Sequence, residues 1–124
     1  MSTRIRDSEL EVMRILWREG RPLSFTEIRT ELEGNTNWNK STIQTLLVRL
    51  RDKGVISAEN HYVTLYSANV SEQAYMQDAG QNFLDKVFGG SAKKLVAALC
   101  KSGQLNKDDI EEMKQFFKVE GESE

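Results

Sequence analysis

With 124 residues, the chain holds one domain, or one small domain with an appendage, on a scale of about 150 residues per domain. Charged residues make up 29% and the hydrophobic set 39%, with one Pro and 8 Gly, which excludes a disordered tail or a fibrous repeat. The net charge of −2 hides an asymmetry: residues 1–70 hold 10 Lys/Arg against 9 Asp/Glu, while residues 71–124 hold 7 against 10.

The longest uncharged run, residues 60–71, has 12 residues and is polar, whereas a membrane span needs about 18 or more apolar residues. No apolar stretch follows Met1-Ser2-Thr3-Arg4, so no leader is expected. One Cys and one His leave no intrachain disulfide and no cysteine-rich metal site. A soluble, cytoplasmic protein without metal or cofactor is the expectation.

The first predicted helix covers residues 8–19, with Leu10, Met13, Leu16 and Trp17 on one face. Asp7 or Ser8 is expected to cap it, and Gly20 with Pro22 to end it. Ser24 and Glu27 have capping-box spacing and open a short helix carrying Phe25, Ile28 and Leu32, which Gly34 should stop. A third helix starts after Asn39 and runs to about Lys53, with Gly54 as its C′ residue. Its core stripe is Ile43, Leu46, Leu47 and Leu50.

Val55-Ile56-Ser57-Ala58 and Tyr62-Val63-Thr64-Leu65-Tyr66 are rich in β-branched and aromatic residues. Two strands are predicted there, joined by a turn at Glu59-Asn60-His61. The 3.6 period returns from Ser71 in a long helix that ends at Gly89-Gly90. Ser91 caps the next helix, closed by Gly103, and Asn106 caps the last. Helix, helix, helix, hairpin is the order of a winged helix-turn-helix. The predicted fold is mainly α with a small β hairpin. Residues 1–70 form the winged helix, 71–119 a three-helix region, and 120–124 a disordered tail.

About 50 residues are near the lower limit for burying a core alone. The broad apolar face of the C-terminal helices must therefore be covered by the first domain or by a second copy, and the copy is the expectation. Phe83, Leu84, Val87, Phe88, Leu95, Leu99, Ile110, Met113, Phe116 and Phe117 are the predicted dimerisation residues.

The third helix has a second face. Residues 35–54 carry Lys40, Arg49, Arg51 and Lys53 against Asp52 alone, and local charge governs nucleic-acid binding more than the total does. Opposite the leucine stripe lie Ser41, Gln44, Thr45, Val48 and Arg49, with Thr42 on the flank. The N-terminal part of a recognition helix meets base edges in the major groove. Lys40, Ser41, Thr42, Gln44 and Thr45 are the candidate base contacts: hydroxyls permit close approach, Gln pairs with adenine, and a Thr methyl meets the thymine methyl. Arg49, Arg51 and Lys53 suit phosphates, which set register without carrying sequence information.

Trp17 and Trp38 are expected in the core, and Cys100 as a small buried hydrophobe, with a thiol-sensing role as its alternative. Arg4 and Arg6 either reach phosphates or form a solvated end. His61 and Tyr62, at the wing tip, either touch DNA or form an exposed turn. Gly80, inside the long helix, is a candidate for close helix packing. No nucleophile–His pairing, phosphate loop or metal-ligand spacing is present, so no catalytic activity is expected. Asp108, Asp109, Glu111 and Glu112 at a helix start read as a solvated edge that complements the helix dipole.

The run from Asp7 to Trp17, Asp-Ser-Glu-Leu-Glu-Val-Met-Arg-Ile-Leu-Trp, resembles the opening of the BlaI/MecI/CopY family of bacterial repressors. The segment from Asn37 to Leu50 and Lys53-Gly54-Val55-Ile56 resemble that family's recognition-helix signature. The run from Leu105 to Met113 resembles the last helix of its penicillinase-repressor branch. The resemblance covers roughly residues 7–117.

It implies a homodimer that binds double-stranded operator DNA, with Thr42 and Thr45 facing bases and Arg49 on a phosphate. It also implies release of DNA through a sensor or protease. This chain departs from the family pattern at four places. Ser41 stands where relatives commonly have Lys, and His61-Tyr62 where the wing usually carries Gly-Arg. Ala98-Leu99 replaces the Asn-Phe pair cleaved in the penicillinase branch, and Cys100 alone replaces the Cys-x-Cys cluster of the copper branch. The expected function is thus a dimeric repressor on a pseudo-palindromic operator. The alternative is a winged-helix adaptor that docks proteins rather than DNA.

Overall fold

The computed structural model describes residues 4–121, with side chains described through Phe116. The elements in chain order are α1 (Asp7–Glu19), β1 (Leu23–Ser24), α2 (Phe25–Asn35), α3 (Lys40–Asp52), β2 (Ile56–Asn60), β3 (Thr64–Ala68), α4 (Glu72–Phe88), α5 (Ala92–Lys101) and α6 (Lys107–Gly121). Two compact units result, residues 1–79 and 80–124, and the division falls inside α4.

In the first unit, α1 begins one residue earlier than the sequence pattern suggests. Neither Asp7 nor Ser8 caps it; the Arg6 N–H donates to Glu9 Oε1 at 2.9 Å, so the acid at N3 satisfies the helix start. The buried stripe is Glu9, Val12, Met13 and Leu16, while Leu10 and Trp17 are half-buried. Trp17 donates its indole N–H to the Val70 carbonyl at 2.8 Å and lies 5.7 Å from the Tyr75 ring. Gly20 closes α1 at φ +66°, a conformation in which a Cβ would clash with its own backbone.

The Ser24/Glu27 capping box forms as expected, with bonds of 3.2 and 2.9 Å. Gly34 does not stop α2, which continues through Asn35. Thr36 ends it instead: its N–H and its hydroxyl both donate to the Leu32 carbonyl, at 2.8 and 2.7 Å.

The sheet has three strands in the order β1-β3-β2, all antiparallel. The hairpin pairs Ile56 with Ala68 and Asn60 with Thr64, so the turn is His61–Val63, two residues beyond its expected place. β1 is an addition to the expected hairpin: Leu23 pairs with Tyr66 and Ser24 with Leu65, across some forty residues of chain. The core lies between α1, α2, α3 and this sheet, with Val12, Met13, Ile28, Ile43 and Leu50 excluded from solvent.

In the second unit, Ser91 caps α5 through the Lys94 N–H at 3.2 Å. Asn106 and Asp109 cap the start of α6 reciprocally, at 2.9 and 3.1 Å. No described residue from 80 to 116 is buried. Leu84, Phe88, Leu95, Leu99, Ile110 and Met113 are half-buried; Phe83, Val87 and Phe116 are exposed. Phe83 and Phe88 meet edge to face at 5.8 Å. The side chain of Phe117 lies outside the described residues.

Glu120 and Gly121, expected in a disordered tail, lie on the last turn of α6, and residues 122–124 are outside the described residues. Two further expectations are corrected. Cys100 is exposed rather than buried, because it lies off the apolar stripe formed by Leu95, Val96 and Leu99. A Cβ at Gly80 would meet nothing within 4 Å, so no described element packs closely there.

Candidate nucleic-acid interface

α3 is fixed at both ends. Asn39 Oδ1 accepts the Thr42 N–H at 2.9 Å. At the other end the Gly54 N–H donates to Arg51 and the Val55 N–H to Leu50, with Gly54 at φ +80°. This left-handed turn, which favours glycine, stops the helix and starts β2. Ile43, Leu46, Leu47 and Leu50 are buried as the spacing predicts.

The opposite face is open. Lys40, Ser41, Thr42, Gln44, Thr45, Val48, Arg49 and Arg51 are all exposed. At 100° per residue, Ser41, Thr45 and Val48 form the outward ridge. Lys40, Gln44, Val48 and Arg51 line a groove of about 680 Å³ shared with α2 and β3. On the other flank Thr42, Thr45 and Arg49 line a smaller groove, about 290 Å³, shared with Ser8 and Trp38. The Thr45 hydroxyl donates to the Ser41 carbonyl at 3.0 Å, which occupies its proton and leaves its methyl and lone pairs for outside contacts.

The cations of the helices in the first unit differ by element, and Arg4 and Arg6, ahead of α1, are exposed with no carboxylate partner among the described residues. Those of α1 and α2 and of the loop between them are paired: Arg14 with Glu11 at 2.8 Å, Arg18 with Glu31 at 3.0 Å, Arg21 with Glu27 at 2.8 Å and Arg29 with Glu33 at 2.6 Å. Among the described residues, no carboxylate pairs with Lys40, Arg49 or Arg51. The positive charge of α3 is therefore available to an external anion, whereas that of α1 and α2 is neutralised within the fold.

Lys53 differs from its neighbours. It is half-buried and forms an ion pair with Glu9, and its ammonium also donates to the Arg4 carbonyl at 2.8 Å. It ties the end of α3 to the start of α1 and does not join the exposed cations. Glu9, a charged residue that the sequence pattern alone does not mark as buried, is fully buried, and its Oε2 has no hydrogen-bond partner among the described residues. Burial pushes the Glu9 carboxyl up, but the Arg6 amide and the Lys53 ammonium outweigh it and hold it below the ordinary 4.5. The spacing Glu9, Val12, Met13, Leu16 (i, i+3, i+4, i+7) was the available signal.

At the wing tip Tyr62 is fully exposed and His61 lies 3.4 Å from Glu59. Trp38 is half-buried against the core. The acidic start of α6 is accounted for locally: Asp109 closes the cap with Asn106, and Glu111 pairs with Lys114 at 3.3 Å. Among the described residues no helix is long and apolar enough to cross a membrane, and no group of His, Cys, Asp or Glu could hold a metal ion.

Three helices, a hairpin and a short strand that closes the sheet make this first unit a winged helix-turn-helix with a basic, hydroxyl-lined third helix. A family model described as penicillinase repressor matches residues 5–118, and the chain belongs to that family. It is 32% identical over 117 residues to the penicillinase repressor of Bacillus licheniformis, covering 91% of this chain and 88% of that one. The penicillinase repressor of Staphylococcus aureus is 34% identical over 113 residues, with 89% and 87% covered. The methicillin resistance regulatory protein MecI of S. aureus strain N315 is 32% identical over 114 residues, with 91% and 92% covered.

Two solved structures are similar. One is the solution structure of the DNA-binding domain of the repressor BlaI, with TM-score 0.54 and 35% identity over 59% of this chain and 89% of that one. The other is the B. licheniformis BlaI monomeric form in complex with the blaP half-operator, with TM-score 0.52 and 36% identity over 58% and 88%.

Proposed function

We propose that this protein is a transcriptional repressor that binds a pseudo-palindromic operator as a homodimer and acts in the cytoplasm by occupancy rather than catalysis. The observation that carries the reading is the exposed face of α3, where hydroxyls and an amide lie between three cations with no carboxylate partner among the described residues. Membership of the penicillinase repressor family and the likeness to a BlaI–half-operator complex support it.

In this reading α3 enters the major groove. Ser41, Gln44 and Thr45 read base edges, Thr42 and Lys40 flank them, and Arg49 and Arg51 hold phosphates. Lys53 is left out of the contact set because its ammonium is committed to Glu9 and the Arg4 carbonyl. Support for the dimer comes from the second unit, whose Leu84, Phe88, Leu95, Leu99, Ile110 and Met113 are only half-buried and whose Phe83, Val87 and Phe116 are exposed. So small a helical unit needs another surface to complete its core. Ala98-Leu99 stands in α5 at the place of the family's cleaved pair, so cleavage there is not part of the proposal.

A gel-shift titration on the DNA upstream of the protein's own gene, at two salt concentrations, tests the reading. A specific shift that weakens steeply with salt is expected, because each neutralised phosphate releases counterions with a slope of about −0.9. No salt-dependent shift would leave the adaptor reading in its place.

A further inference from the structure

Val48 is the one apolar side chain exposed on α3, at 49%. A β-branched residue loses χ1 freedom in a helix, and at an open position it gains no burial in return. A single exposed apolar residue is ordinary on a protein surface; the place of this one is not. At 100° per residue, Val48 lies about 20° from Ser41 and about 60° from Thr45, at the centre of the face opposite the leucine stripe. Lys40 and Arg51 stand about 60–80° to one side of it and Arg49 about 100° to the other. None of these three cations has a carboxylate partner among the described residues.

A helix in the major groove has a phosphate strand along each flank and base edges beneath its central ridge. Cations on both flanks of α3 suit the strands, which leaves Val48 over the bases. It has no donor or acceptor to offer them. The bases present one apolar group in that groove, the thymine 5-methyl. Valine suits that group because one χ1 rotamer dominates in a helix, so its methyls are already fixed and ordering them costs little. Thr45, three residues earlier, is held comparably: its hydroxyl donates to the Ser41 carbonyl at 3.0 Å, which leaves its methyl free. Three residues of helix advance about 4.5 Å and one base step about 3.4 Å, so the two methyl-bearing residues meet different base pairs.

We propose that Val48 is a specificity-determining residue that recognises a thymine 5-methyl, at a different base pair from the one met by Thr45. The two form a methyl-reading ridge along the centre of α3, and Ser41 and Gln44 supply hydrogen bonds beside it. This rests on the operator-binding reading and deepens it, by adding a base that the hydrogen-bonding residues leave unread.

The test uses the full chain on the upstream DNA fragment, with each thymine of the protected region replaced in turn by deoxyuridine, which lacks only the 5-methyl. Wild type, Val48→Ala and Thr45→Ser are compared by anisotropy titration at two salt concentrations. Burying one methyl changes affinity about fourfold. Wild type should therefore lose about fourfold at the thymine under Val48 and again at the thymine under Thr45. Val48→Ala should bind the unmodified fragment roughly four- to tenfold more weakly and become insensitive to deoxyuridine at the first position alone. Thr45→Ser, which keeps the hydroxyl, should become insensitive at the second alone. The salt slope of both variants should equal that of wild type, since no phosphate contact is removed. Both residues are exposed, and unchanged thermal unfolding checks that the fold is intact.

Wild-type affinity of Val48→Ala would overturn the proposal. So would a loss in Val48→Ala that leaves every deoxyuridine effect as large as in wild type, because Val48 would then touch the backbone and not a methyl. A wild-type protein that binds but responds to deoxyuridine at no position would overturn it equally. Failure of wild type itself to bind would refute the operator reading instead, so the two failures are distinguishable.

Discussion

Lys53→Met isolates the one buried ion pair among the described residues. The Glu9 side chain is 0% exposed and that of Lys53 27%. Without the ammonium, Glu9 Oε1 keeps only the Arg6 N–H, and Oε2 has no partner among the described residues. Breaking a buried pair from one side leaves an uncompensated charge and costs about 3–5 kcal/mol. In a domain of 60–100 residues, a loss of about 3 kcal/mol lowers Tm by roughly 12–24 °C. Trp17 and Trp38, the only tryptophans, both lie in the first unit, so their fluorescence during thermal or urea unfolding reports on that unit alone.

Two controls fix the cause. Glu9→Met combined with Lys53→Met should recover most of the loss, because the pair is then replaced by apolar groups of similar volume. The pH dependence should also change sign. In wild type the Glu9 carboxyl is held below 4.5, so its contribution is complete above that value and is lost as pH falls. In Lys53→Met burial, the largest single influence on this carboxyl, is opposed by Arg6 alone; the carboxyl should therefore rise above 4.5 and acidification should recover stability. A single-variant cost under about 1 kcal/mol, the range of an exposed pair, would refute this reasoning, as would an unchanged sign of the pH dependence.

Thr45→Ala should relax sequence preference with little loss of non-specific affinity, while Arg49→Ala should weaken every site alike and flatten the salt slope by about 0.9; anisotropy titrations on operator and scrambled DNA check both. Ser24→Ala removes the cap on α2 and should cost about 1 kcal/mol of unfolding free energy, read by urea denaturation. The Glu27 carboxyl is held at about 2, chiefly by Arg21; its contribution is present above 4.5 and lost as pH falls toward 2, and Arg21→Ala should return its titration, followed by NMR, toward 4.5. Phe83→Asp should raise the dimer dissociation constant roughly 10–100-fold, since a buried Phe is worth about 1.5–3 kcal/mol, as measured by light scattering across a concentration series.

The parts of the molecule legible from sequence are those governed by neighbours in the chain. Asn39 and Gly54 bracket α3, and Ser91 and Asn106 open the last two helices, because capping is a matter of three or four residues. The exposed face of α3 follows from its leucine stripe in the same way. What escaped depends on distant partners. Glu9 is buried because Lys53, 44 residues away, neutralises it, and a charge on its own reads as surface. β1 is two residues long and exists only by pairing with β3. The hairpin turn moved to His61–Val63 because strand composition does not set register, and the 56–68 pairing does. Gly34 stayed helical because Thr36 supplies the terminating bonds two residues on. The groove between α3 and the wing combines three elements, so the pairing of Lys40 with Arg51 on one flank emerges only from the folded unit.

The central claim, a dimer that reads an operator through α3, is tested most directly by footprinting the full chain on its upstream DNA together with a stoichiometric titration. The account predicts two protected half-sites, centred about 10–10.5 base pairs apart or a multiple of that, with two chains bound per site and protection lost when Thr45 and Arg49 are both replaced by Ala. Protection that survives that double replacement, or no protected site at all, would contradict it.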